Sequence, residues 1–526
     1  MLQAASTETG VAGSSAKNWR ETAAHRLSRM NKVSTLGLAS FVAGVAVMLM
    51  YRPFLQMESG DNAIWDYISQ SILRGQIPYR DVIENKSPGS AYLSALVMYI
   101  GELFGISDII AVRLFYVVLV GLLCAVTYLV AERYLRSRVA GVIAPLIPLM
   151  SEKLAMMLVA GTRPKLPMIL FGMICLYLIA IDRPFWAGLV SMLACLCWQP
   201  GLLFTGVAFL IFSRYLSRWR DLRALKVVLG AAVPLSLNVF YFYSRDALGD
   251  LWRWTIAYNF SVYMPEGREE PAVSMLRLWS LLDETMADDF IWVKLSLIGM
   301  LLFAVKRLWP KLRKESGPFG DAILLAPLIY VAFCAINYQG LDGVIPLMPF
   351  AGIFAGALLV EGARLLKSAR IIARDPNFVQ LIAWLPLLAL PFIIGPVASN
   401  AWRYRIDPGR SLDDQVKESQ PVAELLGTDD KIYVHGTVEI LVLLGRKNLN
   451  PYILLDRGKD KYIADRTAGG FEAIIAEMES QAPKIVSLHR LQSVRHRGEL
   501  EQWAAEHYDK LPVGFAHDAV YVRKQQ

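Results

Sequence analysis

Apolar runs of about 16 to 22 residues recur along this chain from Val33 to Ala398, and each comes near the length a helix needs to cross a hydrocarbon core of about 30 Å. Inside lipid a backbone has to satisfy its own hydrogen bonds, so repeated runs of this kind fold as a bundle of spanning helices. With 55% hydrophobic residues, only 19% charged ones and a mean hydropathy of +0.38, the chain lies outside the soluble range. About thirty residues precede the first run and many further runs follow it, which argues against a cleaved signal.

Charge sorts the loops into two sides. Residues 1–32 carry Lys17, Arg20, Arg26, Arg29 and Lys32 in a Ser-, Thr- and Ala-rich setting, and read as a disordered basic tail on the cytoplasmic face. The basic clusters Glu132–Arg138, Arg214–Lys226, Lys306–Lys314 and Arg364–Arg374 belong on the same face. The connections GTRPKLP (161–167), WQPG (198–201), the long 244–289 loop and NYQGLDGVIP (337–346) then face outward. One assignment of about eleven spans satisfies every cluster, with the N-terminus inside and the C-terminus outside. It includes single spans over 139–158 and 378–398, and it treats Ser90–Gly105 as a helix in the outer interface rather than a crossing.

The formal charge of +8 needs no nucleic acid, because the bases sit in these short loops. The five cysteines all fall in apolar runs, so no disulfides are expected. His25, His435, His489, His496, His507 and His517 lie outside the spans, which excludes a histidine metal site at membrane depth. From residue 401 to 526 the chain turns polar. KIYVHG, NPYILL, KIVSLHR and AVYVRK read as strands, and FEAIIAEMES and GELEQWAAEHY as helices, so a small α/β domain follows the transmembrane part of residues 33–400. Glu152 and Lys153 interrupt the third span and are expected to pair with each other.

The outer loop 52–109 concentrates charge beside the first span. Asp61 precedes Ile64, Trp65, Ile68 and Ile72 at helical spacing, and Gly75 stands where the helix should stop. Asp61 can cap that helix. It can equally serve as a general base at the membrane surface, ionised by the helix dipole. The chain then turns through Arg80 and Asp81 to Glu84-Asn85-Lys86-Ser87-Pro88, where Lys86 is either an interfacial anchor or a cation for a lipid-linked phosphate. The aromatic residues Trp252, Trp254, Tyr258 and Tyr263 of the long loop read as an interfacial belt.

The acid shortly after the first span, the strings LRGQIPYRD (73–81), NKSPGSAYL (85–93) and VRLFYVVLVG (112–121), and DKIYVHGTVEILVLLGRK (430–447) near the end resemble the PMT-type, or RgtA/B/C/D-like, branch of the GT-C membrane glycosyltransferases. That branch includes protein O-mannosyltransferases and lipid A aminoarabinose transferases. The resemblance implies a polytopic helical fold with an extracytoplasmic C-terminal α/β domain. It further implies transfer of a sugar from a polyprenyl-phosphate donor to a glycan, lipid or protein acceptor on the outer face of a bacterial inner membrane. Asp61 matches the family's proposed base, and Lys86 its phosphate-binding lysine. Two departures stand out: Asn85 replaces the glutamate before that lysine, and Gly340-Leu341-Asp342-Gly343 stands where members carry a His-Tyr pair, so a divalent metal is left open and no metal ligand is assigned. Chemistry of this kind needs a base, cations for the departing phosphate and a greasy groove. Arg80 joins Lys86 as a phosphate ligand, and Asp81, Arg163, Lys165, Arg245 and Asp342 are further substrate-binding candidates. Gln199 points to the same face. The rival reading is a transporter or flippase of a lipid-linked glycan, which would place its charges at mid-membrane.

Overall fold

The computed structural model describes residues 35–58, 60–214, 221–308, 319–337, 340–368, 388–512 and 519–524. The basic tail expected over residues 1–32 lies outside them.

Among the described residues, four helices are long and apolar enough to cross a membrane: Thr35–Leu55, Asp108–Leu135, Arg223–Ser244 and Leu341–Arg364. Shorter apolar helices run over Lys165–Ala180, Pro184–Cys197, Gln199–Ser213 and Ala322–Ile336. The stretch expected to form one span over 139–158 is broken into Arg138–Met150 and Glu152–Val159, bent by 81°. Pro145 and Pro148 remove backbone donors there. Ser151 then caps a new helix, its Oγ accepting the Leu154 N–H at 3.1 Å. Lys153, placed by that bend, pairs with Glu284 at 2.6 Å rather than with Glu152. The expected last span falls partly on residues that are not described, and its end is the helix Leu390–Arg403. Helices approach closely at small residues: a Cβ on Gly299 or Gly352 would lie 1.9 Å from the carbonyl oxygen of Phe354 or Ala144. All five cysteines are free.

The helix Gly60–Leu73 follows the long helix Thr35–Leu55, and Gly75 ends the turn after it with φ +79°. The next helix, Gly89–Leu103, exposes Leu96, Tyr99, Ile100 and Leu103 along one stripe, with Phe104 just beyond it.

The polar C-terminal part holds a four-stranded sheet of β1 (Ile432–His435), β2 (Ile485–Leu488), β3 (Tyr508–Lys510) and β4 (Val520–Arg523) in the order β1-β2-β4-β3. The first pair is parallel and the others antiparallel. The helices Gly470–Ser480 and Arg497–His507 fall where the sequence puts them. NPYILL does not form a strand. Its Pro451 carbonyl takes the Ile83 N–H at 3.1 Å and its Ile453 carbonyl the Gly436 N–H at 3.0 Å, so its backbone is spent on loops.

One core unites the helix Gly60–Leu73 with this sheet. Ala63, Ile64, Trp65, Tyr67 and Ile68 pack with Leu412, Ile432, Val434, Ile440 and Ile485. The Tyr67 hydroxyl accepts the Asn448 N–H at 2.9 Å, and the Gln415 side chain bonds both the N–H and the carbonyl of Glu58, at 2.8 and 2.7 Å. The long 244–289 segment forms the π-helix Arg253–Tyr263, which packs in a second core with Tyr433 and Tyr462, and the helix Pro271–Met286, whose Leu278, Leu282 and Met286 pack into the core of the apolar helices. Its aromatic residues are not a uniform belt: Trp252 is exposed, but Trp254 and Tyr258 are buried against Tyr462 at ring separations of 5.5 and 5.3 Å.

Beneath this core the Arg113 guanidinium meets Glu58 at 3.1 Å, both side chains 0% exposed, and donates to the carbonyls of Pro53 and Gln56. Removing one member of such a pair leaves a buried charge without its counter-ion. Arg113→Ala is expected to lower unfolding free energy by about 3–5 kcal/mol, and the Arg113→Met/Glu58→Leu double variant to recover most of it, by denaturant unfolding in detergent.

Candidate functional site

Asp61, Lys86, Arg163, Lys165 and Asp342 bring charge to one small cavity, also lined by Trp65, Pro164 and Trp198. Asp61 stands in the first turn of Gly60–Leu73, and its side chain is 43% exposed. Arg163 and Lys165 come from the turn before the helix Lys165–Ala180, which Asp66 fixes. The Asp66 Oδ1 accepts the Thr162 N–H at 3.2 Å and the Thr162 hydroxyl, and Ser94 bonds that hydroxyl in turn at 2.8 Å. Gly161 adopts φ +145°, and a Cβ there would lie 2.6 Å from the Asp66 Oδ2, so only glycine lets the turn sit this close.

Arg163 bridges the acids. Its Nη1 is 3.0 Å from the Asp342 Oδ2 and 3.8 Å from the Asp61 Oδ2, and its buried Nε has no hydrogen-bond partner. The Lys165 Nζ lies 4.0 Å from Asp342 and 4.7 Å from the centre of the Trp198 ring. The Lys86 Nζ sits 5.7 Å from the centre of the Trp65 ring, a cation over an aromatic face.

The Lys86 loop is held rigid. Asn85 donates to Asn259 at 2.7 Å, and the Asn85 carbonyl accepts from Asn259 and from Gln199, at 2.7 and 2.8 Å. Tyr79 donates to the Lys86 carbonyl at 2.8 Å. Gln199 is therefore a brace, occupied with backbone. The Glu84 carboxylate takes the Lys86 backbone N–H at 3.3 Å.

These charges set each other's ionisation. Burial works to raise the Asp61 carboxyl, but Lys86, Arg163, Lys165 and Arg490 together hold it below its ordinary value. Burial works to lower Lys86, yet Glu84, Asp61, Tyr263 and Asp342 hold its ammonium above the usual value. The cavity thus keeps an ionised carboxylate beside the Lys86 ammonium.

Not every residue singled out in the sequence reaches it. Arg80 lies on the surface, paired with Asp81 at 3.2 Å and donating to the Arg245 carbonyl at 3.1 Å. Asp81 staples its own turn through the Ile77 N–H at 2.7 Å, and Arg245 lies 5.9 Å from the centre of the Tyr241 ring. None of these three lines the cavity. Among the described residues no three of His, Cys, Asp and Glu gather as a metal ligand set. Asp61 and Asp342 are spanned by a guanidinium instead.

Sequence reasoning missed Trp65 and Trp198 as walls, Asp66 as the anchor of the Arg163 turn, and Arg490. The last belongs to the turn after β2, with φ 57° and ψ 37°, and its Nη2 would lie 3.6 Å from a Cβ placed on Gly60. That turn is braced by His435, whose Nδ1–H donates to the His489 carbonyl at 2.8 Å while its Nε2 accepts the Leu455 N–H at 2.9 Å.

No family model matches the sequence, and no curated protein is similar to it by sequence. Solved structures are similar in fold. ArnT from Cupriavidus metallidurans bound to undecaprenyl phosphate superposes with a TM-score of 0.60 at 13% identity, over 92% of this chain and 97% of that one. The Archaeoglobus fulgidus oligosaccharyltransferase in its apo form gives 0.54 at 13% identity, over 92% and 72%. The same organism's AglB, in complex with an inhibitory peptide and a dolichol-phosphate, gives 0.52 at 12%, over 93% and 74%. The chain shares the fold of these structures over most of its length.

His435 carries a pH prediction. With one nitrogen donating and the other accepting, the ring is neutral, and burial pulls it from 6.5 down to about 4. Above pH 6.5 neither the folded nor the unfolded chain protonates it. Between 6.5 and 4 only the unfolded chain takes the proton, so stability falls as pH falls. Denaturant unfolding at graded pH should show the wild type losing about 3 kcal/mol more than His435→Asn between pH 7 and pH 4.

Proposed function

We propose that this protein is an inverting glycosyltransferase. It moves a sugar from a polyprenyl-phosphate donor to an acceptor hydroxyl or amine on the extracytoplasmic face of a bacterial cell membrane, with its C-terminal α/β part on that face. The observation that carries this reading is the single cavity in which Asp61 faces Lys86, Arg163 and Lys165. The fold it shares with structures crystallised with undecaprenyl phosphate and with dolichol-phosphate supports a donor of the same kind.

In one displacement the acceptor atom bonds to the anomeric carbon as the bond from that carbon to the phosphate oxygen breaks. The lipid phosphate leaves with the electron pair. Lys86, Arg163 and Lys165 stabilise its growing charge, and Asp61 takes the acceptor's proton. A carboxylate held below its ordinary pKa is a weak base, so it accepts that proton late, once the new bond has made the acceptor acidic. The bidentate reach of Arg163 suits a phosphate, and its unpartnered Nε–H is one donor that such an oxygen can satisfy. Arg80, earlier paired with Lys86 in this role, is replaced in the proposal by Arg163 and Lys165, because it points away from the cavity. Membrane lipids flank the site, and the acceptor is a glycan, a lipid or a protein.

Asp61→Asn is expected to lower transfer by about 10²–10⁴-fold while leaving undecaprenyl phosphate binding intact. Lys86→Gln should weaken that binding as well. The measurement is mass spectrometry of surface glycans and lipids from cells whose sole copy is the variant, with binding read on purified protein. Full transfer by Asp61→Asn at normal expression would defeat the assignment.

A further inference from the structure

The cavity around Asp61 is closed. The space between its side chains comes to about 10 Å³, the room of a single water molecule, and a sugar on a phosphate does not fit there. Part of the wall therefore has to give way before a donor can meet Lys86, Arg163 and Lys165. Two of those cations already hold an anion. The Arg163 Nη1 lies 3.3 Å from the Asp342 Oδ1 and 3.0 Å from its Oδ2, and the Lys165 Nζ lies 4.0 Å from the same Oδ2. Among the described residues, the Asp342 carboxylate has no partner besides these two.

The other walls are braced. Asp66 ties the Arg163 turn through Thr162, Asn259, Gln199 and Tyr79 hold the Lys86 loop, and Trp65 and Trp198 are only 2% and 3% exposed. Asp342 stands differently. It is the second residue of the 3-10 helix Leu341–Leu347, which the chain enters through Gly340 at φ +63°, with nothing within 4 Å of where a Cβ there would lie. The Tyr330 hydroxyl grips this helix only from its third residue, donating to the Gly343 carbonyl at 3.0 Å. From Gly343 onward the segment is buried, whereas Leu341 and Asp342 are partly exposed. The least braced part of the wall is thus the anion seated on the cations. A carboxylate and a phosphodiester each carry one negative charge and offer a guanidinium the same kind of acceptor oxygens. Three cations and two carboxylates line the cavity, so a donor phosphate that enters as Asp342 leaves keeps the charge balance.

We propose that Asp342 is a resident counter-ion of the donor site: it occupies Arg163 and Lys165 in the closed cavity, the donor's phosphate displaces it, and its return to the same cations expels the spent lipid phosphate. This rests on the reading of Arg163 and Lys165 as phosphate ligands, and adds to it how the site opens and empties.

The test is calorimetric binding of undecaprenyl phosphate to full-length protein in detergent. Asp342→Asn keeps the side chain's size and removes its charge, and it is expected to bind about 10- to 100-fold more tightly than wild type, the worth of a charged hydrogen bond that no longer competes. Asp342→Glu keeps the competing charge and should stay near wild type. Equal or weaker binding by Asp342→Asn would make the acid a prop for Arg163 and overturn the proposal, as would an Asp342→Glu that tightens just as much. Should Asp342→Asn fail to fold, the structure of wild type with undecaprenyl phosphate decides. Phosphate oxygens on Arg163 and Lys165, with the Asp342 carboxylate out of ion-pair reach, are expected there; an Arg163–Asp342 contact still at 3.0 Å beside the bound lipid overturns it. A wild type that does not bind undecaprenyl phosphate would instead bring down the underlying function, and this proposal with it.

Discussion

The site depends on one guanidinium shared by two carboxylates. Arg163 contacts Asp342 directly and stands just beyond bonding distance of Asp61. In a partly buried setting that difference matters, because a fully paired Asp61 would be engaged and an unpaired one would be pushed toward its neutral form. Held ionised by surrounding charge yet free of a tight partner, the carboxylate can turn to a substrate. The Asp66–Thr162 contact, which fixes the turn bearing Arg163, therefore shapes the cavity as much as the residues lining it do.

The fold is where the sequence was most readable. Long apolar runs, the acid after the first span and the switch to a polar C-terminal stretch are local properties, and local patterns survive folding. The helix Gly60–Leu73 could be placed almost to the residue because its apolar spacing lies within it and its glycine stop follows directly after it. The break at Ser151 was harder, although Pro145, Pro148 and Ser151 are each visible signals. Hydropathy averaged over a span outweighed them, and the chain bends instead.

The site was half legible for a similar reason. Asp61, Lys86, Arg163, Lys165 and Asp342 could be nominated by charge and by the loops they occupy, but nothing local separates them from Arg80, Asp81 and Arg245. Arg80 has an acid as its immediate neighbour, and that pairing holds it at the surface. Arg490 could not be nominated at all, because its approach to Gly60 is made by the tertiary fold across hundreds of residues. The aromatic residues of the long loop show the same limit: Trp252 and Trp254 are two positions apart, yet one is exposed and the other is buried in the sheet's core.

The shared core between the first outer helix and the sheet has a bearing on how the protein is made. Glu58 waits for Gln415, 357 residues later, and Tyr67 for Asn448, 381 residues later. A ribosome releases the acid-bearing helix long before its packing partners exist, so that helix spends much of synthesis incompletely buried. The site comes together only when the final portion of the chain has been made and folded, and a truncated product would carry the acid without the scaffold that surrounds it.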